Sequence, residues 1–253
     1  MTDIHAHILP EIDDGAKSIE EAVRLCQRGR QHHIKRTVAT PHFDAIDDID
    51  AFIELRDEKI SSLRRNLEIN NIDMGIYGGA EVFINDDVFF SKNLRRLTIN
   101  NSRYLLVEFS FSGLSFPIIH EYLTEIYSMG LVPIIAHPER YKYFQQNYDA
   151  VNELFSRGVL FQINAGSLSS RDGREEFELA YEMAYKGAAA FIATDAHSMQ
   201  RRPNDIGNMI RAFPQDIDAK HMQQMLSVNP KLVLENMDVP RARFSKLEKR
   251  KFY

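Results

Sequence analysis

Cysteine is nearly absent from this chain of 253 residues, which contains only Cys26. A lone cysteine excludes an internal disulfide and is typical of a reducing compartment, so we expect a cytoplasmic protein. Cysteine-dependent phosphatases hold their thiolate in a loop that an arginine closes. Cys26 falls instead within a predicted helix, with His32 where that arginine would stand. We therefore expect this thiol to be a packing residue.

Several other signals are missing from the sequence. No apolar run approaches the ~18–20 residues that a membrane-spanning helix needs, and the N-terminus lacks the basic and apolar segments of a secretory signal. No basic stripe runs through the body of the chain, which disfavours nucleic-acid binding. Phosphate-binding loops, dinucleotide-binding glycine motifs and the Gly-x-Ser-x-Gly motif are also absent. We expect neither membrane insertion nor a nucleic-acid partner.

The hydrophobic residues, 44% of the chain, are concentrated in seven short apolar runs with segments of helical period between them. The predicted helices cover residues 18–33, 49–70, 116–129, 149–157, 175–186 and 218–227. Gly130, Gly158 and Gly187 each follow a helical segment, where a left-handed cap is expected. Strands that alternate with helices through short links indicate parallel βαβ units. The sequence therefore predicts an α/β fold, a distorted seven-stranded, TIM-barrel-like (β/α) barrel.

The chain length fits one barrel domain, which we place over residues 1–239. The composition changes from about Pro240, where RARFSKLEKRKFY holds six Lys or Arg against one Glu. Residues 240–253 are therefore expected to form a basic tail, either packed back through Phe244 or Phe252 or free of the domain.

Side chains that bind metals recur near the C-terminal ends of the apolar runs. They are His5 and His7 in MTDIHAH, His42 in RTVATPH, Glu81 in IYGGAEV, Glu108 in RYLLVEF, His137 in LVPIIAHPER, and Asp195 and His197 in AAAFIATDAH. Alternation along a strand places residues i and i+2 on one face, so the His-x-His and Asp-x-His pairs can each bind one ion. Parallel strands of a barrel open their C-terminal ends onto the same face. The pattern predicts a multinuclear metal site.

Two carboxylate assignments keep an alternative. A buried carboxylate must be paired or bound to metal, so for Glu108 taken alone a salt bridge is about as good an interpretation. In the loop after His7 we prefer Asp14 as a further ligand, and Asp13 remains the alternative.

Two arginines follow predicted ligands closely. Arg140 comes three residues after His137, and Arg202 comes five residues after His197. Planar guanidinium groups beside metals suit phosphate or carboxylate substrates. We assign a catalytic role to both, with Arg201 as the alternative to Arg202.

Aromatic residues stand beside the predicted ligands. We expect those on the loops past the strand ends to line the mouth of the site and to pack against a phenol ring; they are Phe43, Phe83, Phe111 and Tyr141. Phe109, directly after Glu108, is assigned to the core.

The motifs DIHAHILPEIDDGA, ATPHF, GAEV, LLVEF, IIAHPER and ATDAH follow one another between residues 3 and 203. Together they resemble the PHP (polymerase and histidinol phosphatase) superfamily of metallohydrolases. More narrowly, the chain is similar to the bacterial manganese-dependent protein tyrosine phosphatases found with capsular or exopolysaccharide genes. The resemblance implies a distorted seven-stranded barrel. The sequence differs from the family motif at position 11, where the family often has glycine. Glu11 adds a carboxylate near the mouth of the site.

The resemblance implies three divalent metal ions, with manganese expected and iron or zinc left open by the nitrogen and oxygen ligands. The first ion would be bound by His5, His7, Glu81 and Asp195, the second by Glu81, Glu108 and His137, and the third by Asp14, His42 and His197. A hydroxide that bridges two ions would attack phosphotyrosine. The implied protein substrate is the tyrosine-rich tail of an autophosphorylated bacterial tyrosine kinase.

Some relatives implied by the resemblance assemble into rings through glutamates and an arginine of the first helix. Glu20, Glu21 and Arg24 could form such a homo-oligomer here, although their spacing is equally that of an ordinary solvated helix face.

Three other functions stay open at this point. The chain could be a small-molecule phosphomonoesterase of the same superfamily, acting on histidinol phosphate or a related metabolite. It could be a phosphodiesterase or exonuclease, which the missing basic groove disfavours. It could also be a metal-binding kinase regulator without catalytic activity.

Overall fold

The strands of the fold are short and run parallel to one another. The structure is a computed structural model that describes residues 1–91 and 93–249. Its strands are β1 (Thr2–Ala6), β2 (Arg36–Ala39), β3 (His42–Phe43), β4 (Gly75–Gly78), β5 (Glu81–Phe83), β6 (Tyr104–Glu108), β7 (Val132–Ala136), β8 (Leu160–Asn164) and β9 (Phe191–Ala193). One sheet has the order β1-β2-β4 and the other β3-β5-β6-β7-β8-β9. The predicted α/β fold with parallel strands is confirmed.

Two of the seven predicted strands are each divided in two. Residues 40 and 41 separate β2 from β3, and residues 79 and 80 separate β4 from β5. Pro41 has no N–H group for a sheet ladder. The two interrupted strands nevertheless stay hydrogen-bonded to each other across the break. Gly79 N donates to Ala39 O over 3.0 Å, and Glu81 N donates to Pro41 O over 3.1 Å. Both interruptions lie directly before predicted ligands.

The first strand and the segment after the last strand are joined by two backbone hydrogen bonds. His7 N donates to Ala196 O over 2.8 Å, and Asp195 N donates to His5 O over 3.0 Å. These bonds place the two ligand pairs side by side. Because the strands form two separate ladders in the described residues, closure of a seven-stranded barrel stays a prediction.

Six of the helices in the described residues lie close to the predicted positions, and five short helices were not predicted. The helices are α1 (Ile19–Gln31), α2 (Ile49–Ile69), α3 (Asp86–Ser91), α4 (Phe116–Ser128), α5 (Lys142–Gln146), α6 (Tyr148–Ser156), α7 (Ala165–Leu168), α8 (Arg174–Lys186), α9 (Ile206–Arg211), α10 (Ala219–Gln223) and α11 (Asn229–Leu234). Those that were not predicted are α3, α5, α7, α9 and α11. Gly130, Gly158 and Gly187 have φ of 70°, 96° and 84°, so the predicted left-handed backbone after the helices is confirmed.

The first helix begins with an N-cap at Ser18, and Glu21 bonds back to the residue before the cap. Glu21 N donates to Ser18 Oγ over 3.3 Å, and Glu21 Oε2 accepts from Lys17 N over 3.0 Å. The two hydrogen bonds fix the start of α1. They also leave Glu21 buried, so a contact of Glu21 with a second copy of the chain is contradicted, whereas Glu20 and Arg24 are exposed. Cys26 is fully buried in the core.

The described part of the basic tail packs against the domain. Phe244 stacks on Phe155 with ring centroids 4.1 Å apart, and Leu247 is buried. Ser245 N donates to Lys186 O over 2.9 Å. Phe252, the other predicted anchor, lies outside the described residues. Within residues 1–91 and 93–249, no helix is both long and apolar enough to cross a membrane.

Candidate metal centre

The predicted ligands come together where the chain leaves β1, β6, β7 and β9 and where it enters β3 and β5. β1 carries His5 and leads to His7 and Asp14, while β3, β5 and β6 carry His42, Glu81 and Glu108, and the segments after β7 and β9 carry His137, Asp195 and His197. Three sets of donor atoms each lie within 4.8 Å of one another: His7, Asp14, His42 and His197; His5, His7 and Glu81; and His42, Glu81 and Glu108.

The first predicted group, which comprises His5, His7, Glu81 and Asp195, is closely spaced. His5 Nε2 lies 3.2 Å from both His7 Nε2 and Glu81 Oε2. Asp195 Oδ1 lies 3.5 Å from His5 Nε2 and 3.6 Å from His7 Nε2. Donors bound to one tetrahedral ion at ~2.1 Å lie about 3.4 Å apart. His5, His7 and Glu81 therefore have the spacing of ligands to a single cation, and Asp195 lies beside the two imidazoles.

Glu81 lies between this group and its neighbours. Its Oε2 is buried and accepts no hydrogen bond of good geometry, although His5 Nε2, His7 Nε2 and His42 Nδ1 each lie 3.2 Å away. Its Oε1 is 2.8 Å from His137 Nε2. A buried carboxylate oxygen that faces three imidazole nitrogens without a hydrogen bond fits a cation at their centre.

The second group surrounds the other Glu81 oxygen. Glu108 Oε1 lies 3.5 Å from His137 Nε2, and the same imidazole nitrogen contacts Glu81 Oε1. Within the part of the chain that the structure describes, Glu108 forms an ion pair with His137 and none with a lysine or arginine, although the Arg140 charge also acts on it. The two carboxylates and His137 thus have an arrangement in which Glu81 can bridge two ions.

The third group lies at the mouth. Asp14 Oδ1 is 3.4 Å from His197 Nε2 and 3.6 Å from His42 Nε2, and the Asp14 side chain is 67% exposed. Burial and the neighbouring His7 lower the pKa of His197 to about 4, which keeps this imidazole neutral and able to bind a cation.

Asp13 has a different position from Asp14. Its Oδ2 lies 2.7 Å from His7 Nδ1 and accepts from His42 N over 3.1 Å, while Oδ1 accepts from Gly15 N. Both oxygens are therefore engaged away from the third group. A carboxylate on the far nitrogen of a ligand histidine orients the ring. The geometry therefore favours Asp14 as the ligand and Asp13 as the residue that orients His7.

Burial and mutual charge set the protonation of the cluster. Burial by itself lowers the pKa of His5, but the carboxylates of Glu81 and Asp195 outweigh it and raise this pKa. Burial would raise the pKa of Glu81, yet the surrounding imidazoles hold it well below its usual range. Burial and the Glu81 charge raise the pKa of Glu108 to about 8. Crowded carboxylates of this kind are neutralised by cations.

Two predicted ligands have left-handed backbone. His137, directly after β7, has φ 31° and ψ 58°, and Asp195, two residues after β9, has φ 50°. Few non-glycine residues adopt this conformation, and Asp and His are enriched among those that do. Such backbone is concentrated at functional sites, where the surrounding structure holds it.

Both predicted arginines reach the cluster. Arg202 Nη1 donates to Asp195 Oδ2, and Arg140 Nη1 lies 3.8 Å from the same oxygen. Both side chains are about one-third exposed. Arg201, the alternative to Arg202, is exposed, and its described backbone contacts are with Ser198 and Arg171. Of the three predicted arginines, Arg140 and Arg202 are therefore the two whose guanidinium groups lie at the cluster.

For two of the aromatic residues, the predicted position at the mouth of the site is wrong. Phe43 is 1% exposed and packs edge-to-face on Phe52 of α2, with centroids 5.0 Å apart. Tyr141 is fully buried, and its hydroxyl accepts from Phe109 N over 3.0 Å. Neither ring lies at the mouth, because both are engaged in the packed core. Phe109 is buried, as predicted.

The other two predicted aromatics are accessible. Phe83 is half-buried and lines a cavity of about 220 Å³ with Phe109 and Tyr122. Phe111 is 45% exposed and stacks on Tyr141 at 5.0 Å. The Arg140 guanidinium lies 4.9 Å from the centre of the Phe111 ring. Phe111 is thus the exposed aromatic that contacts a site arginine.

The sequence reasoning missed two buried amides, Gln162 and Asn164, at the end of β8. Gln162 Oε1 lies 2.7 Å from His5 Nδ1, and Asn164 Nδ2 donates to Asp195 Oδ2 over 2.9 Å. Their alternate spacing at the end of an apolar run, the same as that of His5 and His7, is the signal that could have identified them.

Comparison with known proteins gives consistent results. Residues 1–235 match the sequence model of a family described as capsular polysaccharide synthesis, CpsB/CapC. The relative named CapC in Staphylococcus aureus is 37% identical over 237 residues, which is 93% of this chain and 92% of the relative. Tyrosine-protein phosphatase CpsB of Streptococcus pneumoniae is 30% identical over 249 residues, covering 92% and 98%.

A solved structure described as that of YwqE from Bacillus subtilis and CpsB from Streptococcus pneumoniae, unique metal-dependent tyrosine phosphatases, has the same fold. It superposes with a TM-score of 0.85 at 24% identity and covers 98% of this chain and 100% of that one.

Proposed function

We propose that this chain, which belongs to the CpsB/CapC capsular polysaccharide synthesis family, is a metal-dependent tyrosine-protein phosphatase. The observation that carries the proposal is the buried Glu81 carboxylate, whose two oxygens face different sets of metal-binding side chains. That geometry suits cations held side by side, which is an arrangement used for phosphate ester hydrolysis. The printed names of the relatives supply the substrate class.

Three ions would be held by the three groups. The first comprises His5, His7, Glu81 and Asp195, the second Glu81, Glu108 and His137, and the third Asp14, His42 and His197. All donors are nitrogen or oxygen, which suits Mn²⁺, Fe²⁺ or Zn²⁺. We propose manganese. Bound ions of this kind polarise phosphoryl oxygens and lower the pKa of water.

The protein side chains would bind and orient the phosphate. Arg140 and Arg202 lie on one side of the cluster, both near Asp195 Oδ2. Their guanidinium groups can turn from Asp195 to the oxygens of a phosphate dianion, since Arg binds such groups through paired hydrogen bonds. The phenolate of tyrosine, with a pKa near ~10, is a far better leaving group than a serine alkoxide. No covalent phosphoenzyme is needed.

Phe111 would contact the substrate ring. Its exposed ring lies beside Arg140, so a phosphate bound by that arginine brings a tyrosine ring close to Phe111. Aromatic pairs contribute about 0.5–1.5 kcal/mol beyond area burial. Phe111 therefore replaces Phe43 and Tyr141 in the proposed substrate contact, and Phe83 stays a candidate on the neighbouring cavity.

Three finer features belong to the same proposal. We describe the fold as a distorted seven-stranded barrel of the PHP type, counting β2 with β3 and β4 with β5 as single interrupted strands. We propose that residues 1–239 act as the phosphatase domain and 240–253 as a basic tail, in the cytoplasm. The proposed substrate is a bacterial tyrosine kinase that controls capsule or exopolysaccharide synthesis, and Glu20 and Arg24 remain available for a homo-oligomer.

A substrate panel on the metal-analysed protein tests the function. Purified protein is assayed with a phosphotyrosine peptide, a phosphoserine peptide and histidinol phosphate. We expect the phosphotyrosine peptide to be hydrolysed at least ~10-fold faster than the phosphoserine peptide. His42→Ala should lose at least ~100-fold, whereas His120→Ala, outside the three groups, should not change turnover. A faster rate on histidinol phosphate would indicate a small-molecule phosphatase, and bound metal without turnover would indicate a regulator.

A further inference from the structure

Two buried amide side chains connect His5 to Asp195. Gln162 and Asn164 occupy alternate positions in β8, and they are 0% and 3% exposed. Gln162 Oε1 lies 2.7 Å from His5 Nδ1. Gln162 Nε2 donates to Asn164 Oδ1 over 2.9 Å, and Asn164 Nδ2 donates to Asp195 Oδ2 over 2.9 Å. Both amides therefore use their oxygen and their nitrogen in this series of contacts, as expected for buried polar groups.

The direction of these hydrogen bonds is fixed from one end. An ionised carboxylate can only accept, so the atom of Asn164 that faces Asp195 is its NH₂ group. The Asn164 oxygen then faces Gln162 and requires a donor there. Gln162 must present its NH₂ group to Asn164 and its oxygen to His5. A reversal of either amide would place two acceptors or two donors against each other.

The Gln162 end of this hydrogen-bond series determines which nitrogen of His5 carries the proton. Because Gln162 Oε1 accepts, the neutral imidazole has its hydrogen on Nδ1, and Nε2 keeps a lone pair. Nε2 is the atom that lies 3.2 Å from His7 Nε2 and Glu81 Oε2. The lone pair thus faces the first group of proposed ligands.

We propose that Gln162 and Asn164 are positioning residues that fix the tautomer of His5 from Asp195, so that Nε2 is available to a divalent cation. The proposal rests on the proposed function for the presence of that cation. His7 is oriented differently, by the carboxylate of Asp13 at 2.7 Å. The two histidines of the His-x-His pair are therefore held by separate partners, one a neutral amide and one an anion.

The proposal predicts an effect of Asn164 on a histidine that it does not touch. In Asn164→Leu, the Gln162 amide loses the partner that sets its direction and can reverse, so neutral His5 should become a mixture of tautomers. Gln162→Leu removes the acceptor itself. Loss of such an outer partner typically lowers metal affinity ~10–100-fold, and we expect that range for Gln162→Leu.

The control is a buried amide at the other end of the strands. Asn229 is 4% exposed, and its Nδ2 donates to Ala190 O, directly before β9, over 2.9 Å. Asn229→Leu removes one buried hydrogen bond far from the cluster. It should lower thermal stability without changing the His5 tautomer or the metal affinity.

Two measurements decide the question, and neither uses turnover. Long-range ¹H–¹⁵N NMR spectra of the metal-free, histidine-labelled protein at alkaline pH give the tautomer of neutral His5. Calorimetric titration with Mn²⁺ gives the affinity. We expect Nδ1–H in the wild type, mixed tautomers in Asn164→Leu, and weaker Mn²⁺ binding in both variants. If Gln162→Leu does not fold, the wild-type spectrum and Asn164→Leu still decide.

An Nε2–H tautomer in the wild type, or unchanged tautomer and Mn²⁺ affinity in Asn164→Leu, would overturn the proposal. A protein without phosphatase activity that still shows the expected spectra and affinities would contradict only the proposed function. Metal-dependent phosphotyrosine hydrolysis with an unaffected His5 in both variants would contradict only the positioning roles.

Discussion

Replacing Phe111 with alanine should reduce the preference for phosphotyrosine over phosphoserine. The ring is 45% exposed and lies against Arg140, so it can offer one face or edge to the substrate ring. A contact of this kind contributes about 1 kcal/mol, the middle of the range for aromatic pairs, and corresponds to roughly a fivefold change in kcat/KM. We therefore expect the ratio of the two kcat/KM values to fall about fivefold.

The ratio is the quantity to measure, because Phe111 also contacts Arg140, whose catalytic role is proposed above. Loss of the ring would free the Arg140 guanidinium, which should lower kcat/KM for both peptides alike. The aromatic contact affects the phosphotyrosine peptide alone. Phe111→Tyr should keep the ratio, and Tyr185→Ala, which removes a comparably exposed aromatic from α8, should leave both rates unchanged. An unaltered ratio in an active Phe111→Ala protein would refute the reasoning.

Three further predictions concern the metals and the cysteine. Exhaustive treatment with EDTA should abolish activity and lower the melting temperature, by roughly 5–10 °C relative to protein with Mn²⁺ at 100 times its Kd; restored Mn²⁺ should reverse both, and full activity after chelation would contradict the metal site. Mn²⁺ affinity should rise with pH, because the carboxylates outweigh burial and raise the pKa of His5, whose proton must leave before a cation binds. Calorimetry between pH 6 and 8 should show up to ~10-fold tighter binding per pH unit for each proton released, and a flat profile would count against it. Cys26→Ser should keep near-full activity, because burial raises the pKa of the thiol to about 12; a folded, metal-bound but inactive variant would point to a thiol mechanism.

The meeting of the ligands on one face could be deduced from the sequence because eight of the nine predicted ligands, all except Asp14, stand near the end of an apolar run. Strand alternation then places both members of the pair His5 and His7 on the same side, and the structure brings their Nε2 atoms within 3.2 Å of each other. The left-handed caps at Gly130, Gly158 and Gly187 were predictable for a similar reason, since they depend on local backbone.

The aromatic contacts could not be read from proximity in sequence. His42 and Phe43 are consecutive in β3, so their side chains lie on opposite faces of the strand. His42 faces the cluster, and Phe43 therefore packs on α2. Strand alternation, applied to this pair, would have assigned Phe43 to the core. The position of Tyr141 depends on the turn after His137, which no periodicity describes.

The supporting residues were missed because amides are not metal ligands of first choice. Gln162 and Asn164 appeared in the sequence only as members of a strand. Their importance comes from contacts with His5 and Asp195, 157 and 31 residues away along the chain. The division of two strands likewise depended on Pro41 and on residues 79 and 80, whose effect on the hydrogen-bond ladder a pattern of apolar runs does not reveal.

The left-handed backbone at His137 and Asp195 limits which side chains can replace these two proposed ligands. Most side chains in that conformation carry a penalty of about 1–2 kcal/mol, whereas asparagine, aspartate and histidine adopt it more readily. Exchange of either residue for cysteine would therefore oppose the local backbone as well as change the donor atom. Drift among descendants of this chain should favour imidazole, short carboxylate and short amide side chains at both positions. A thiolate at either turn would therefore carry the backbone penalty in addition to its preference for softer metals.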